Sequence, residues 1–231
     1  MKKHPQFILA IDNTFFTCRD AFSETFAHYD LERFFEEVQS YIVVRERENL
    51  EKNPMYRQVL PYIVVSQVGD DGVTRYSSYR RTSGVGESRL AGNVSIGYGG
   101  HIDMMDIYIN DKSVIELRDT IFQSVLRELG EEIHLSVDGV KLMEDEVQQV
   151  FRGSGLTMGT KNFILDNSNE VGTVHVGVVF FLQIDNRFTI ESGEDELVNM
   201  PLLTAKELHE SEHHKENWTQ FILNELIAQN Q

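Results

Sequence analysis

Hydrophobic positions along this chain recur with two different periods. Within residues 31–39, Leu31, Phe34, Phe35 and Val38 fall at three- and four-residue spacing behind Asp30, the pattern of an amphipathic helix with an acidic cap. Tyr62–Val68, Thr74–Tyr79 and Val94–Tyr98 are instead rich in β-branched and aromatic residues. A Gly-Asp-Asp-Gly turn and the Gly84–Gly92 loop separate them, so they read as strands of one sheet. From about Glu116 to Ile133 the helical period returns, with Ile121, Val125 and Leu129 beside Phe122, Leu126 and Ile133 on an apolar face. Val174–Ile184 is apolar almost throughout, as expected of a strand covered on both sides. Trp218, Phe221, Ile222 and Leu226 mark a last amphipathic helix. Together these elements predict an α+β fold, helices packed on a mixed sheet in an α/β/α sandwich. With no repeat and no low-complexity linker, residues 56–231 are expected to form the main domain and residues 1–55 an N-terminal extension packed on it.

Composition narrows the function. The chain has 231 residues, 41% of them hydrophobic, enough for one substantial core. Its single cysteine, Cys18, cannot form an internal disulfide, which fits a reducing compartment, and a cytoplasmic location is expected. The apolar run Phe7–Ile11 is stopped by Asp12, too short for a signal-peptide core, and no stretch approaches the roughly 18 apolar residues that span a bilayer. With 37 acidic against 21 basic residues, the net charge of -16 argues against broad nucleic-acid binding. It leaves room for a small phosphorylated substrate, because carboxylates can hold divalent cations that in turn bind phosphates.

The chemistry concentrates in Arg127-Glu128-Leu129-Gly130-Glu131-Glu132, which places Glu128, Glu131 and Glu132 at i, i+3 and i+4 of the predicted helix. Each like-charge pair at such spacing costs about 0.2–0.5 kcal/mol. The helix C-terminus disfavours each negative charge by a further ~0.3–1 kcal/mol. A solvated acidic face is the ordinary reading of a Glu-Glu pair. Here the Gly99-Gly100 pair after a predicted strand points elsewhere, because glycine lets a backbone carbonyl approach a metal or a phosphate closely.

Arg127 to Leu135, RELGEEIHL, resembles the second half of the Nudix box, with His134 in place of the box's closing Gly. Asp119 stands where the box has its first Glu, and Gly100 is its opening Gly. Between them lie 18 residues where the pattern has five, an insertion of 13 that carries Asp103, Asp106, Asp111 and Met104-Met105. RRTSGVGESRLAGNVSIGYGGH, NEVGTVHVGVVFF and the ENW near the C-terminus are similar to a bacterial and phage branch of Nudix proteins called predicted phosphoesterases.

The resemblance implies divalent-metal-dependent hydrolysis, with Mg²⁺ or Mn²⁺, of a phosphoanhydride in a nucleoside diphosphate linked to another group. ADP-ribose, dinucleoside polyphosphates, NAD(H), nucleotide sugars and capped RNA ends all belong to that class. It implies Glu128, Glu131 and Glu132 as metal ligands with the Gly99 carbonyl, and Arg127 as the residue that orients a helix carboxylate. The general base would be Glu128, or Glu194 or Glu196 in the ESGEDEL segment. Arg80, Arg81 and Arg89 are candidates for the substrate phosphates, weighed against ordinary pairing with neighbours such as Glu87.

His175, alternating with apolar residues, reads as a hydrogen-bonded core histidine. His209, His213 and His214 read as a solvated helix face more readily than as a zinc site. The alternative function is a Nudix module without catalysis that senses a nucleotide or binds a partner. The N-terminal region makes a homodimer plausible.

Overall fold

The computed structural model describes residues 4–82, 92–193 and 197–229. From the N-terminus the chain forms β1 (Phe7–Asp12), α1 (Thr14–Thr17), β2 (Phe26–Ala27), α2 (Leu31–Glu37), β3 (Ile42–Glu46), α3 (Arg47–Leu50) and β4 (Tyr56–Val68). Short strands follow: β5 (Thr74–Tyr76), β6 (Tyr79–Arg81), β7 (Val94–Ser95) and β8 (Gly97–Tyr98). The long helix α4 (Leu117–Glu132) leads into β9 (Ile133–Val137), β10 (Val140–Lys141), α5 (Glu144–Ser154), β11 (Leu156–Thr157) and β12 (Phe163–Ile164). The chain ends with α6 (Glu170–Thr173), β13 (His175–Gln183), β14 (Thr189–Ser192), β15 (Leu197–Asn199), α7 (Ala205–Glu210) and α8 (Asn217–Gln229). The α+β class expected from the hydrophobic pattern is the class observed. No helix among the described residues is long and apolar enough to cross a membrane.

Two compact units divide the chain: residues 1–62, 99–125 and 158–179, and residues 63–98, 126–157 and 180–231. The first unit contains the N-terminal residues and a sheet in the order β2-β12-β13-β4-β1-β3. Residues 1–55 supply three strands of it, β1, β2 and β3, with β1 antiparallel both to β3, Ala10 opposite Val43, and to β4, Ala10 opposite Gln58. Phe15, Phe22, Tyr29, Phe34 and Phe163 fill its core with ring contacts between 4.8 and 6.5 Å. The start of α2 is fixed as the sequence predicts, the Arg33 amide donating to Asp30 Oδ1 at 2.9 Å. The box insertion also lies here. The Leu9 amide donates to the Ile102 carbonyl at 2.9 Å, and Asp106 accepts from the Asp103 amide at 2.8 Å, so the inserted residues add an edge to β1.

In the second unit two of the predicted strands divide, for one reason. Tyr76 pairs with Ser66 of β4, whereas Tyr79 pairs with Asn199 of β15 and Ser95 of β7. Val94 and Ser95 belong to that same small sheet, while Gly97 and Tyr98 return to β4. The runs Thr74–Tyr79 and Val94–Tyr98 thus change sheets at Ser77-Ser78 and at Ile96, a corner that hydrophobic periodicity does not register. A further sheet, β10-β9-β14, starts directly from the end of α4.

Candidate functional site

Helix α4 does not carry its carboxylates on a solvated face. Leu117, Ile121, Val125 and Leu129 are buried as their spacing predicts, yet Glu128 and Glu132 are buried as well, each 7% exposed. They continue a stripe of buried polar residues, Thr120 and Ser124, at four-residue intervals. Phe122, placed on the apolar face by the sequence pattern, is 38% exposed, because the helical turn carries it away from that stripe. Glu131 is the exposed member of the carboxylate set, with 59% of its side chain accessible.

A buried carboxylate is costly unless it is paired, and cations supply the pairing here. Arg127 Nη2 lies 2.8 Å from Glu128 Oε1, and its Nη1 lies 3.0 Å from Glu131 Oε2, so one guanidinium spans two of the three acids. Arg81, on β6, carries a second positive charge. Its Nε binds Glu216 Oε1 at 3.0 Å and its Nη2 donates to the Tyr79 hydroxyl at 3.1 Å. Burial alone would lower the proton affinity of Arg81. The negative charges of Tyr79, when ionised, and of Glu216 and Glu132 outweigh that and hold the guanidinium above its ordinary value. The same Glu132 charge adds to the burial that raises the Tyr98 phenol, against the lowering effect of the 2.7 Å hydrogen bond between Tyr98 and Ser77. Glu132, Arg81, Glu216, Tyr79 and Tyr98 form one electrostatic group.

Arg80, the strand neighbour of Arg81, is exposed, and in a strand successive side chains face opposite ways. Only Arg81 joins the acids. Glu216 sits just before α8. It reaches the site because the Glu216 amide donates to the Val94 carbonyl at 3.1 Å while the Ile96 amide donates to Thr219 Oγ1 at 3.2 Å. Sequence reasoning missed Glu216, Tyr79 and Tyr98. The Glu-Asn-Trp match at 216–218 was the one signal for Glu216.

At its C-terminus α4 meets the segment that leads to Glu194. The Gly193 amide donates to the Glu132 carbonyl at 2.7 Å, and a Cβ at Gly193 would collide with the Glu131 carbonyl, so glycine is required there. Glu194, Glu196 and Arg89 lie outside the described residues. Gly99, in the first unit, follows β8 with φ 133°, a backbone conformation open to glycine. Asp119 is exposed in the first turn of α4, and His134 is the second residue of β9. Burial and the Lys141 charge lower the His134 imidazole, and the Glu191 charge offsets part of that lowering. His209 ends its helical run within α7, which stops at Glu210, so the i, i+4 spacing to His213 is not realised on a helix.

The fold superposes on the crystal structure of Tm1382, a putative Nudix hydrolase, with a TM-score of 0.67 and 21% identity over 96% of this chain and 99% of that one. The chain is also 29% identical to Protein YmaB of Bacillus subtilis (strain 168) over 182 residues, 78% of this chain and 76% of that protein. No protein-family model matches the chain.

Proposed function

We propose that the chain hydrolyses a phosphoanhydride bond in a nucleoside diphosphate linked to a second group, releasing a nucleoside monophosphate and a phosphorylated remainder. The observation that carries this reading is the burial of Glu128 and Glu132 beside an exposed Glu131 on one helix end, an all-oxygen anionic donor set held by two guanidinium groups. Such a set fits Mg²⁺ or Mn²⁺, hard cations that take oxygen ligands and keep several waters. Glu128, Glu131 and Glu132 would hold the ion. The ion would supply a deprotonated water near neutral pH and neutralise charge on the phosphates.

The protein's own groups divide the remaining work. Arg127 fixes the rotamers of Glu128 and Glu131 through its two ion pairs, so the acids need not reorganise when a cation arrives. Arg81 faces the acidic group and Arg80 the solvent, which assigns Arg81 to organising Glu132 and Glu216 and leaves Arg80 and Arg89 for phosphate contact. The general base is Glu128, or Glu194 or Glu196, which follow Gly193 in the sequence. The reading places the activity in the cytoplasm.

The test is turnover of a panel of nucleoside diphosphate derivatives with Mg²⁺ or Mn²⁺, beside Glu128→Gln and Glu131→Gln/Glu132→Gln proteins whose fold is checked by circular dichroism. Metal-dependent cleavage that the substitutions abolish supports the proposal. Binding of a panel member without cleavage by the native chain overturns it in favour of nucleotide sensing.

A further inference from the structure

A second group of ligand-bearing side chains lies entirely within the first unit. Glu51, at the end of α3, His101, two residues beyond Gly99, and His175, the first residue of β13, present ligand atoms that all fall within 4.8 Å of one another. None belongs to the acidic motif of α4.

The tautomer of His175 follows from its surroundings. Its Nδ1 lies 2.7 Å from the Val171 carbonyl, which can only accept, so Nδ1 carries the proton and Nε2 of the neutral ring is a bare lone pair. That lone pair points at His101, whose Nε2 is 3.3 Å away. In a tetrahedral zinc site with Zn–N bonds of roughly 2.05 Å, two ligating nitrogens stand about 3.3 Å apart. The observed separation matches that of two imidazoles on one ion, and a hydrogen bond between the two rings holds them at that spacing when no ion is bound.

The support around His175 is built to the same end. A histidine that ligates metal characteristically donates its other ring N–H to a carbonyl or carboxylate, as His175 does to Val171. Buried Arg57 donates from Nη1 to the carbonyls of Gly172 and His175, both at 2.9 Å, and the Gln58 amide holds the Val174 carbonyl at 2.8 Å. His175 is 5% exposed, so backbone and ring are both fixed. Glu51 is oriented by Arg47, whose Nε meets Glu51 Oε1 at 2.9 Å, a hydrogen-bonded carboxylate of the kind that surrounds metal sites. Glu51 and His101 are partly exposed, which leaves an approach from solvent.

We propose that Glu51, His101 and His175 form a transition-metal site of the Zn²⁺ class, with the fourth position left to water. Two imidazole nitrogens and one carboxylate oxygen suit Zn²⁺ or Co²⁺ over Mg²⁺, which takes oxygen ligands. The ion joins three segments far apart in sequence, so its binding also stabilises the unit.

The experiment is titration of the chelator-stripped full-length protein with Co²⁺, followed by visible absorption and by thermal unfolding. The expected result is one equivalent bound with the intense visible bands of tetrahedral Co²⁺, displaced by Zn²⁺, and a raised Tm. His101→Ala and Glu51→Gln change partly exposed side chains and should keep the fold by circular dichroism, yet weaken Co²⁺ affinity by more than the roughly 10–100-fold typical of an outer-shell change. The Glu128→Gln/Glu131→Gln/Glu132→Gln protein should keep the bands. Absence of tetrahedral bands, bands that survive both single substitutions, or bands lost in the triple-Gln protein would each overturn the proposal.

Discussion

The acidic end of α4 and the imidazole cluster around His175 solve opposite problems. On α4 three like charges come from one turn of helix, placed by helical spacing alone, and the difficulty is to keep them ionised while two are buried. Arg127 and Arg81 meet that difficulty with positive charge. Around His175 the groups are two imidazoles and a single carboxylate, and the difficulty is position. Three separate segments must deliver atoms to within 4.8 Å, and the His175 segment is fixed by hydrogen bonds from the Arg57 side chain, the Gln58 backbone amide and the His175 ring to backbone carbonyls. A site on one helix is thus specified by sequence spacing and limited by electrostatics. A site drawn from several segments is specified by the scaffold.

The largest effect should come from neutralising the helix site. Glu128→Gln removes the charge of one proposed ligand and one of the two partners of Arg127 while keeping the volume. If the proposed hydrolysis depends on metal stabilisation worth several kcal/mol, kcat should fall by about 10²–10³-fold. Equal rates for Glu128→Gln and the native chain, with Mg²⁺ saturating, would remove α4 from the mechanism.

Next in size is Arg57→Met, which tests the scaffold rather than the ligands. Arg57 donates to Asn13 Oδ1 at 2.8 Å and to Asn167 Oδ1 at 2.5 Å besides the Gly172 and His175 carbonyls. Its proton affinity is lowered by burial and partly restored by the charge of Asp166, so it remains a cation at any ordinary pH. Hydrogen bonds to a charged group contribute about 1.5–3 kcal/mol each. Losing this set should lower stability by at least ~3 kcal/mol in urea unfolding and weaken Co²⁺ binding, whereas the same substitution at exposed Arg80 should leave both nearly unchanged.

Gly193→Ala disturbs the helix site through its backbone. The new methyl collides with the Glu131 carbonyl, and the chain must shift to accept it, at a cost of about 1–3 kcal/mol by the usual scale of overpacking. Because Gly193 leads into Glu194, turnover should fall further than stability alone explains if Glu194 or Glu196 is the base. A drop in Tm with kcat intact would instead assign the base to Glu128.

The two regions were unequally legible in the sequence. Helix α4, the Asp30 cap of α2 and the contiguous RELGEE motif depend on spacing within a few residues, which a linear reading contains. Burial of Glu128 and Glu132 was not legible, since a charged residue is expected outside until its partner is known, and Arg81 is distant in sequence. Glu216 joins Arg81 across 135 residues. His175 was correctly read as hydrogen-bonded and buried, but nothing local links it to His101 or Glu51. The strands of residues 1–55 escaped for the same reason: Phe7–Asp12 is a short apolar run whose meaning comes from pairing with β3 and β4.

The smallest effect, and the one of opposite sign, concerns Gln58. Its side chain is fully buried in the first unit, and neither Oε1 nor Nε2 has a hydrogen-bond partner among the described residues. The buried acids of α4 are matched by cations, so removing one takes away part of a guanidinium's pairing and should destabilise. An unmatched amide has no partner to strand: its desolvation is a cost that an apolar group of similar size avoids, on the order of 1–3 kcal/mol. Imperfect packing of the branched side chain should take back part of that gain. Gln58→Leu should therefore raise stability by about 1 kcal/mol, read as a higher urea midpoint at unchanged m-value. A loss of stability instead would mean that the amide is satisfied by internal water.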